Sequence, residues 1–432
     1  MPRVLDDFRR TQLAIAALFC FLGFQYATWA SRIPALKERL DLSAGEVGLL
    51  LVVTGAGAAA SFPLITFLMQ RLGARRVALL SGLSLVAILL VLSVAPNYPT
   101  ALVILCVDGA AVGCLNVAMN AQGAALEAVH GRTAMTQLHA TFSAGSFLAA
   151  LLSSGVTALT SDIAPHFAAA SVILLLLLAG ARPRLLTDDA PAAASPPLAG
   201  QEKGKRRRGF ARPTQAVLWL GCAMVFAEVV EGSMNDWSAL YLKDIAHASP
   251  QVAPLGIAVI SIVMVVARLF GDGWRSRWGD AQVVRVGSAV AGVGLALALL
   301  AGGVVPALIG FACVGLGVAA VAPCLYVAAA AEGPQALSVV AATGTTGLLV
   351  GPAVIGFVAE AADLAWGMAV VAASAVVVSL CTTRLRFVPR RPRPRRAQGR
   401  TWSGRGPCDP AAAADVHPRD RARPPVLQRC LP

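Results

Sequence analysis

Three carboxylates interrupt long apolar stretches of the sequence: Asp108, Glu228 and Glu231. An ionised side chain inside a membrane is costly unless it is paired or hydrated, so each is a functional candidate. Glu228 and Glu231 are three residues apart and Asn235 follows four residues later, so all three share one helix face. Two neighbouring carboxylates in an apolar setting favour holding one proton between them, which is the chemistry of proton coupling. The alternative is a structural pair bonded to neighbouring helices, and either acid could be the one that titrates.

Amide and aromatic side chains occur at spacings that suit a polar solute. Asp108, Asn116 and Asn120 recur on one helix face, whereas Gln25 and Trp29 are four residues apart on another. Amides both donate and accept hydrogen bonds, which suits a polyhydroxylated or amine ligand. The alternatives are hydrogen bonding between helices and an aromatic belt at the membrane surface. The candidate solute-binding residues are Gln25, Tyr26, Trp29, Asp108, Asn116, Asn235 and Tyr326, and the candidate proton-coupling residues are Glu228, Glu231 and Asp108.

A further set of charged and glycine residues falls near predicted helix ends. Arg268 and Asp272 are four residues apart, a spacing at which opposite charges pair on a helix. We expect this set to act as a latch between helices in one conformation, and static salt bridges are the alternative. The candidate latch residues are Arg71, Gly73, Arg75, Glu127, Arg268, Asp272, Arg277, Gly279 and Glu332.

The elements that position these residues follow from composition. Hydrophobic residues make up 57% of the 432 residues and charged residues only 14%, which argues against an ordinary cytosolic enzyme or a disordered protein. The apolar runs predict an all-α membrane protein, because backbone groups in lipid must bond within a helix. Twelve transmembrane helices are predicted, at 11–33, 44–69, 77–95, 101–123, 135–158, 164–181, 214–241, 253–274, 281–302, 305–330, 337–360 and 363–383.

These helices predict two six-helix bundles, 1–181 and 214–383, with a basic linker (182–213) and an Arg/Pro-rich disordered tail (384–432). Of the 36 Lys and Arg residues, 31 fall on the side that holds both termini and four on the other. Positive residues concentrate in cytoplasmic segments, so both termini are expected on the cytoplasmic side of the membrane. We expect that membrane to be a bacterial inner membrane.

Matches at one sequence offset predict that the two bundles arose by duplication. Residues 71–73 (Arg-Leu-Gly) recur as 277–279 (Arg-Trp-Gly), an offset of 206, and Gly145 recurs as Gly351. Glu127 and Glu332 agree within one residue of the same offset. Parallel halves related by an axis along the membrane normal are an architecture of secondary transporters.

The segment 70–76 (QRLGARR) resembles the loop signature of the major facilitator superfamily, although Gln70 stands where that signature has an acid. Five motifs resemble the superfamily's fucose-permease-like branch, including its uncharacterised bacterial inner-membrane members and the rhizopine-associated membrane protein. They are 116–127, 131–132, 139–145, 231–238 and 351–356. The resemblance extends to about residue 385. It implies that spans 1, 4, 7 and 10 line a central cavity around which the halves rock. The branch is expected to carry an acid in span 1, which this sequence lacks.

The sequence therefore predicts a secondary active transporter of a sugar, polyol or related solute by proton symport. Proton-antiport efflux of drugs or metabolites, or a receptor on the same fold, are the alternatives. No G-x-x-x-x-G-K-[ST], H-E-x-x-H or G-x-S-x-G motif occurs, so we expect neither an ATP-driven pump nor an enzyme. We expect no cofactor, no metal ion and no nucleic acid. The expected partners are the solute, protons and the lipid bilayer, with the protein acting as a monomer.

Overall fold

The computed structural model describes residues 7–187 and 214–385. Most of the predicted linker 182–213 and tail 384–432 therefore lies outside the described residues. Within the described ranges the chain forms fourteen α-helices, with one 3-10 turn at Arg182–Arg184. The helices are α1 (Asp7–Ala30), α2 (Ile33–Leu40), α3 (Ala44–Ala60), α4 (Phe62–Ser93), α5 (Tyr98–His130), α6 (Met135–Thr157), α7 (Ile163–Ala181), α8 (Gln215–Asp244), α9 (Leu255–Trp278), α10 (Asp280–Ala301), α11 (Val304–Val318), α12 (Val321–Glu332), α13 (Pro334–Ala361) and α14 (Leu364–Cys381).

The helices confirm the predicted twelve-span membrane fold. In the described part of the chain, ten helical stretches are long and apolar enough to cross a membrane, and two shorter apolar helices complete the twelve. Span 2 consists of α3 and the first part of α4, and the rest of α4 is span 3. Span 10 is divided into α11 and α12. The short helix α2 was not predicted as a separate element, because its eight residues are too few to cross a membrane.

Local sequence explains several helix starts. Ser43 and Glu46 form a capping box at the start of α3, each bonding to the other's backbone N–H. Asn97 and Thr214 cap α5 and α8 by accepting from a backbone N–H three residues later. These caps satisfy donors that would otherwise be unpaired at a membrane boundary.

Close glycine contacts repeat between the two halves of the chain. A Cβ on Gly109 would lie 1.8 Å from the carbonyl oxygen of Thr54, and one on Gly315 would lie 2.8 Å from that of Ile260. Both members of the first pair are offset by 206 residues from the second. The packing of α5 on α3 is therefore repeated by α11 on α9, as expected for a duplicated bundle.

The repeated loop motif also has one backbone conformation in both halves. Gly73 has φ 74° and ψ 163°, and Gly279 has φ 80° and ψ 155°. Glycine adopts such positive φ values without the steric cost that a Cβ would add. Each glycine interrupts the helical path, so the chain can turn between two spans.

The halves meet along two helix pairs, α3 with α13 and α6 with α9. The internal repeat exchanges these pairs, because span 2 corresponds to span 8 and span 5 to span 11. We call the end where α1 begins and α14 ends the termini side, and the opposite end, which carries α2, the far side. The described residues belong to one compact unit within residues 1–389.

Candidate functional site

A cavity of about 390 Å³ lies between the halves, a volume within the range of small-molecule sites. Its lining extends from the middle of α8 to the termini-side ends of α6 and α9. The lining residues are Met135, His139, Glu228, Glu231, Arg268, Gly271, Arg275, Ala319, Ala320, Ala322, Pro323 and Tyr326. Glu228, Glu231 and Tyr326, all predicted as site residues, therefore face one space.

Arg268 connects three helices in the cavity wall. Its Nη1 donates to Ser143 Oγ on α6 at 2.6 Å, and its Nη2 donates to Glu231 Oε1 on α8 at 3.1 Å. The side chains of Arg268 and Glu231 are 18% and 30% exposed, so water only partly screens the pair. Arg268 was predicted to pair with Asp272 on its own helix, and the Asp272 side chain lies outside the described part of the structure. The pairing with Asp272 therefore stays a prediction, and the described contacts of Arg268 lie in the cavity wall.

Glu228 and Glu231 share a face of α8, as their spacing predicts, and line the cavity together. Asn235, one turn further, donates from Nδ2 to the backbone carbonyl of Glu231 at 2.9 Å. Its amide is therefore engaged with its own helix. Of the two arginines in the lining, Arg268 bonds to Glu231 and Arg275 bonds to Asp280.

A second polar group, which we call the buried acid cluster, consists of Gln25, Tyr26, Asp108 and Asp236. Gln25 Nε2 donates to Asp108 Oδ1 at 2.9 Å, and the Tyr26 hydroxyl donates to Asp236. Gln25, Asp108 and Asp236 are 0%, 2% and 4% exposed. Among the described residues, Gln25 Oε1 and Asp108 Oδ2 have no hydrogen-bond partner. The cluster joins the halves, because Tyr26 lies on α1 and Asp236 on α8.

Asp236 was missed by the sequence analysis, although it lies within the quoted motif 231–238. The signal was present, since Asp236 is a carboxylate inside a predicted span, eight residues after Glu228. Its partner Tyr26 is 210 positions away in sequence, so their contact leaves no local pattern.

The other predicted solute-binding residues occupy different surroundings. Trp29 is buried and meets the Tyr26 ring edge-on, with ring centroids 5.8 Å apart. Asn120 Nδ2 donates to Asn116 Oδ1 at 2.9 Å, on the face that leaves Asn116 exposed. Their roles in binding stay predictions.

Several predicted latch residues make contacts within the N-terminal half, whereas Arg268 reaches from α9 across to Ser143 on α6 of the other half. Arg75 donates to the carbonyl of Arg182 at 3.0 Å, and the guanidinium of Arg71 lies 5.6 Å from the Phe67 ring centroid. Glu127 accepts from the backbone N–H groups of Ala134 and Met135, and so caps α6. Arg277 and Glu332 are exposed. The latch stays a prediction for these residues.

At the far side, polar contacts join the halves directly. Lys37 on α2 lies 2.5 Å from Asp244 Oδ2, and Lys243 pairs with Glu38. Glu360 accepts from the backbone N–H of Gly45 at 3.0 Å. Ser154 Oγ donates to the carbonyl of Gln251 at 2.6 Å. These far-side contacts hold the halves together at that end, whereas the cavity lies towards the termini side.

A twelve-span bundle with duplicated halves and a polar cavity between them defines a multi-pass membrane transporter. Residues 13–335 match the sequence profile described as Major Facilitator Superfamily, and the chain belongs to this superfamily. The predicted resemblance is therefore confirmed. Members of this family are transporters and not enzymes.

Two relatives illustrate the similarity. The chain is 33% identical over 363 residues to an uncharacterized MFS-type transporter of Yersinia pestis, covering 82% of this chain and 90% of that protein. It is 30% identical over 374 residues to membrane protein MosC of Rhizobium meliloti, covering 85% and 88%.

Solved structures share the fold at low sequence identity. A D-xylose–proton symporter matches with a TM-score of 0.71 and 15% identity, over 89% of this chain and 98% of that chain. The transporter FucP, in the outward conformation, matches with a TM-score of 0.57 and 14% identity, over 88% and 99%.

Proposed function

We propose that the protein is a proton-coupled symporter that carries a small polyhydroxylated solute across a bacterial inner membrane. The observation that carries the proposal is the cavity between the halves, where Glu228 and Glu231 lie together, Arg268 bonds to Glu231, and Arg275 bonds to Asp280. Arg268 bonds to Glu231, so Glu228 is the acid for which a proton is the natural partner. A carboxyl that exchanges a proton next to bound solute is the element that coupling requires.

The orientation follows from the distribution of positive charge. With 31 of 36 Lys and Arg on the termini side, both termini are cytoplasmic. The cavity then opens inward, and the far-side contacts close the periplasmic side. Transport alternates when the bundles 1–181 and 214–383 rock about the pairs α3–α13 and α6–α9. We propose that one chain is sufficient for this cycle.

The solute class is supported by the chemistry of the polar groups and by the neighbours in fold. The cavity lining presents acceptors on Glu228 and Glu231 and donors on Arg268 and Tyr326, which match the hydroxyl groups of such a solute. The fold neighbours include a D-xylose–proton symporter. Such low identity shows only a shared fold, so the sugar is an inference from chemistry as well.

A second candidate function is proton-antiport efflux of a cationic compound. The observation that favours it is the Glu228 carboxylate in the cavity, which has no salt bridge among the described residues, because it can attract a positive ligand as readily as a proton. A non-transporting receptor is a third use of the same fold.

Thermal stabilisation of the purified protein by a panel of sugars, polyols, amines and lipophilic cations, at pH 6 and pH 8, separates these functions. We expect a monosaccharide or polyol to raise the melting temperature. In Glu228→Gln this stabilisation should persist while proton-driven accumulation in vesicles is lost. Stabilisation by lipophilic cations alone, stronger at pH 8, would instead favour the antiporter.

A further inference from the structure

The buried acid cluster places two carboxyl groups from different halves beside one helix. Tyr26 and Gln25 are neighbours on α1 and donate to Asp236 and Asp108, respectively. Asp236 lies five residues beyond Glu231, or about 7.5 Å along α8 at 1.5 Å per residue. It is therefore separate from the cavity carboxylates, on the far-side part of the helix.

The helices packed against α8 bring no cation to Asp236 in the described part of the chain. On α2, Lys37 is paired with Asp244, which lies two turns further along α8. On α9, Arg268 is paired with Glu231. Tyr326 of α12 lines the cavity, and Glu360 of α13 bonds to a backbone N–H of α3.

Among the other helices packed against α8, α11 and α14 each contribute one thiol. The titratable residue of α11 is Cys313, and that of α14 is Cys381. On α1, the group that reaches Asp236 is the Tyr26 hydroxyl. The cluster thus holds two carboxyl groups, one phenol and one amide, with no described Lys, Arg or His in contact.

Two ionised carboxylates without a cation or water are strongly unfavourable in an apolar interior. At least one of Asp108 and Asp236 therefore holds a proton while the far side is closed. When the halves part at the far side, α1 and α8 separate there, and the Tyr26–Asp236 bond breaks. Water then reaches Asp236, and ionisation is no longer penalised.

We propose that Asp236 is a second proton-binding group, whose protonation from far-side water stabilises closure of the far side through its bond with Tyr26. The proton binds a carboxylate oxygen of Asp236, and the other oxygen accepts from the Tyr26 hydroxyl. The proposal rests on the proposed function, in which the halves alternate. Asp236 at the far side would then bind a proton in addition to Glu228 in the cavity.

The test measures far-side closure directly and needs no solute. Spin labels are attached at Leu159→Cys and Ser249→Cys, two exposed far-side positions in different halves, with the native cysteines replaced. Distance distributions are recorded in lipid nanodiscs from pH 5.5 to pH 9. One linked proton changes the ratio of closed to open molecules by up to about tenfold per pH unit. We expect the open population to grow as the pH rises.

Asp236→Asn should remove this response, leaving less than about a twofold change over the whole range, with the far side closed. Asp244→Asn is the matched control, because it neutralises a carboxylate on the same helix that has a lysine partner. It should shift the open and closed populations but leave the slope of the open-to-closed ratio against pH unchanged. Tyr26→Phe retains the Asp236 carboxyl and removes its hydrogen bond, so it should keep that slope and move the pH at which the two populations are equal.

A wild-type slope in Asp236→Asn would overturn the proposal, as would a wild-type ratio that does not vary with pH. If Asp236→Asn does not fold, Tyr26→Phe decides, and an unchanged midpoint would count against the cluster. The two proposals fail separately. If no solute in the panel stabilised the protein, the symporter proposal would be contradicted and the proposal for Asp236 would stand. If the open-to-closed ratio did not vary with pH, only the proposal for Asp236 would be contradicted.

Discussion

Replacing Gly109 by alanine tests the helix contact that positions Asp108. The added Cβ would lie 1.8 Å from the Thr54 carbonyl oxygen and 3.0 Å from the Ala58 nitrogen. Both atoms belong to the backbone of α3, so no side-chain rotation relieves the overlap. Since Cβ contacts below 3.0 Å are essentially never seen, α3 and α5 must separate locally by at least about 1.2 Å.

Overpacking of a well-packed interior costs about 1–3 kcal/mol, and a contact with rigid backbone belongs at the upper end. At about 2 °C per kcal/mol for a chain of this size, we expect Gly109→Ala to lower the melting temperature by about 6 °C. Because Asp108 precedes Gly109, the same displacement shifts its carboxyl relative to Gln25 and disturbs their hydrogen bond. Stabilisation by a bound solute should weaken as well.

The assay is thermal unfolding in detergent, monitored by intrinsic fluorescence. Gly155→Ala on α6 is the matched control, since its Cβ would meet nothing within 4 Å. Helix propensity alone makes that change stabilising by up to about 1 kcal/mol. Gly315→Ala, at 2.8 Å from Ile260, should fall between the two. Equal melting temperatures for Gly109→Ala and Gly155→Ala would refute the reasoning.

Three further predictions concern charges and the tail. Arg268→Gln leaves Glu231 without its paired cation beside Glu228, so we expect it to lower the free energy of unfolding by about 1–3 kcal/mol, measured by thermal unfolding. Adding Glu231→Gln to the same chain should recover part of this loss. If the two substitutions instead had additive effects on stability, the Arg268–Glu231 pair would be contradicted. Lys37→Gln removes a partly exposed far-side pair worth up to about 1 kcal/mol, so the open population should rise by no more than about fivefold in the spin-label measurement; a fully open far side would contradict this. Deletion from Arg390 should leave solute uptake within about twofold of the intact chain, and a large loss would show that the tail takes part in transport.

Much of the fold could be predicted because its signals are local or periodic. Apolar runs predict the spans, and the repeat at an offset of 206 reappears as the matched contacts of Gly109 and Gly315. The structure differs from the predicted elements where a helix is too short to give an apolar run, or where a break in the backbone divides a span. The helix α2 and the division of span 10 into α11 and α12 are examples.

The candidate site was less accessible from sequence, because its contacts join distant residues. Spacing placed Glu228 and Glu231 on one face, and both line the cavity. Spacing also predicted a pair between Arg268 and Asp272, which stays a prediction, but it gave no sign of the partners that Arg268 has on α6 and α8. Asp236 matters because it accepts a hydrogen bond from Tyr26 on the other half. The sequence pattern within a single span cannot indicate a partner that is 210 residues away.

The most direct test of proton-coupled symport uses proteoliposomes with a pH-sensitive dye inside. Sugars and polyols are added outside one at a time, without an imposed gradient, to wild-type protein and to Glu228→Gln. We predict that at least one polyhydroxylated solute acidifies the interior in wild type and leaves the dye unchanged in Glu228→Gln. Interior acidification that is equal in both proteins, or uptake of the solute without any proton movement, would contradict the account.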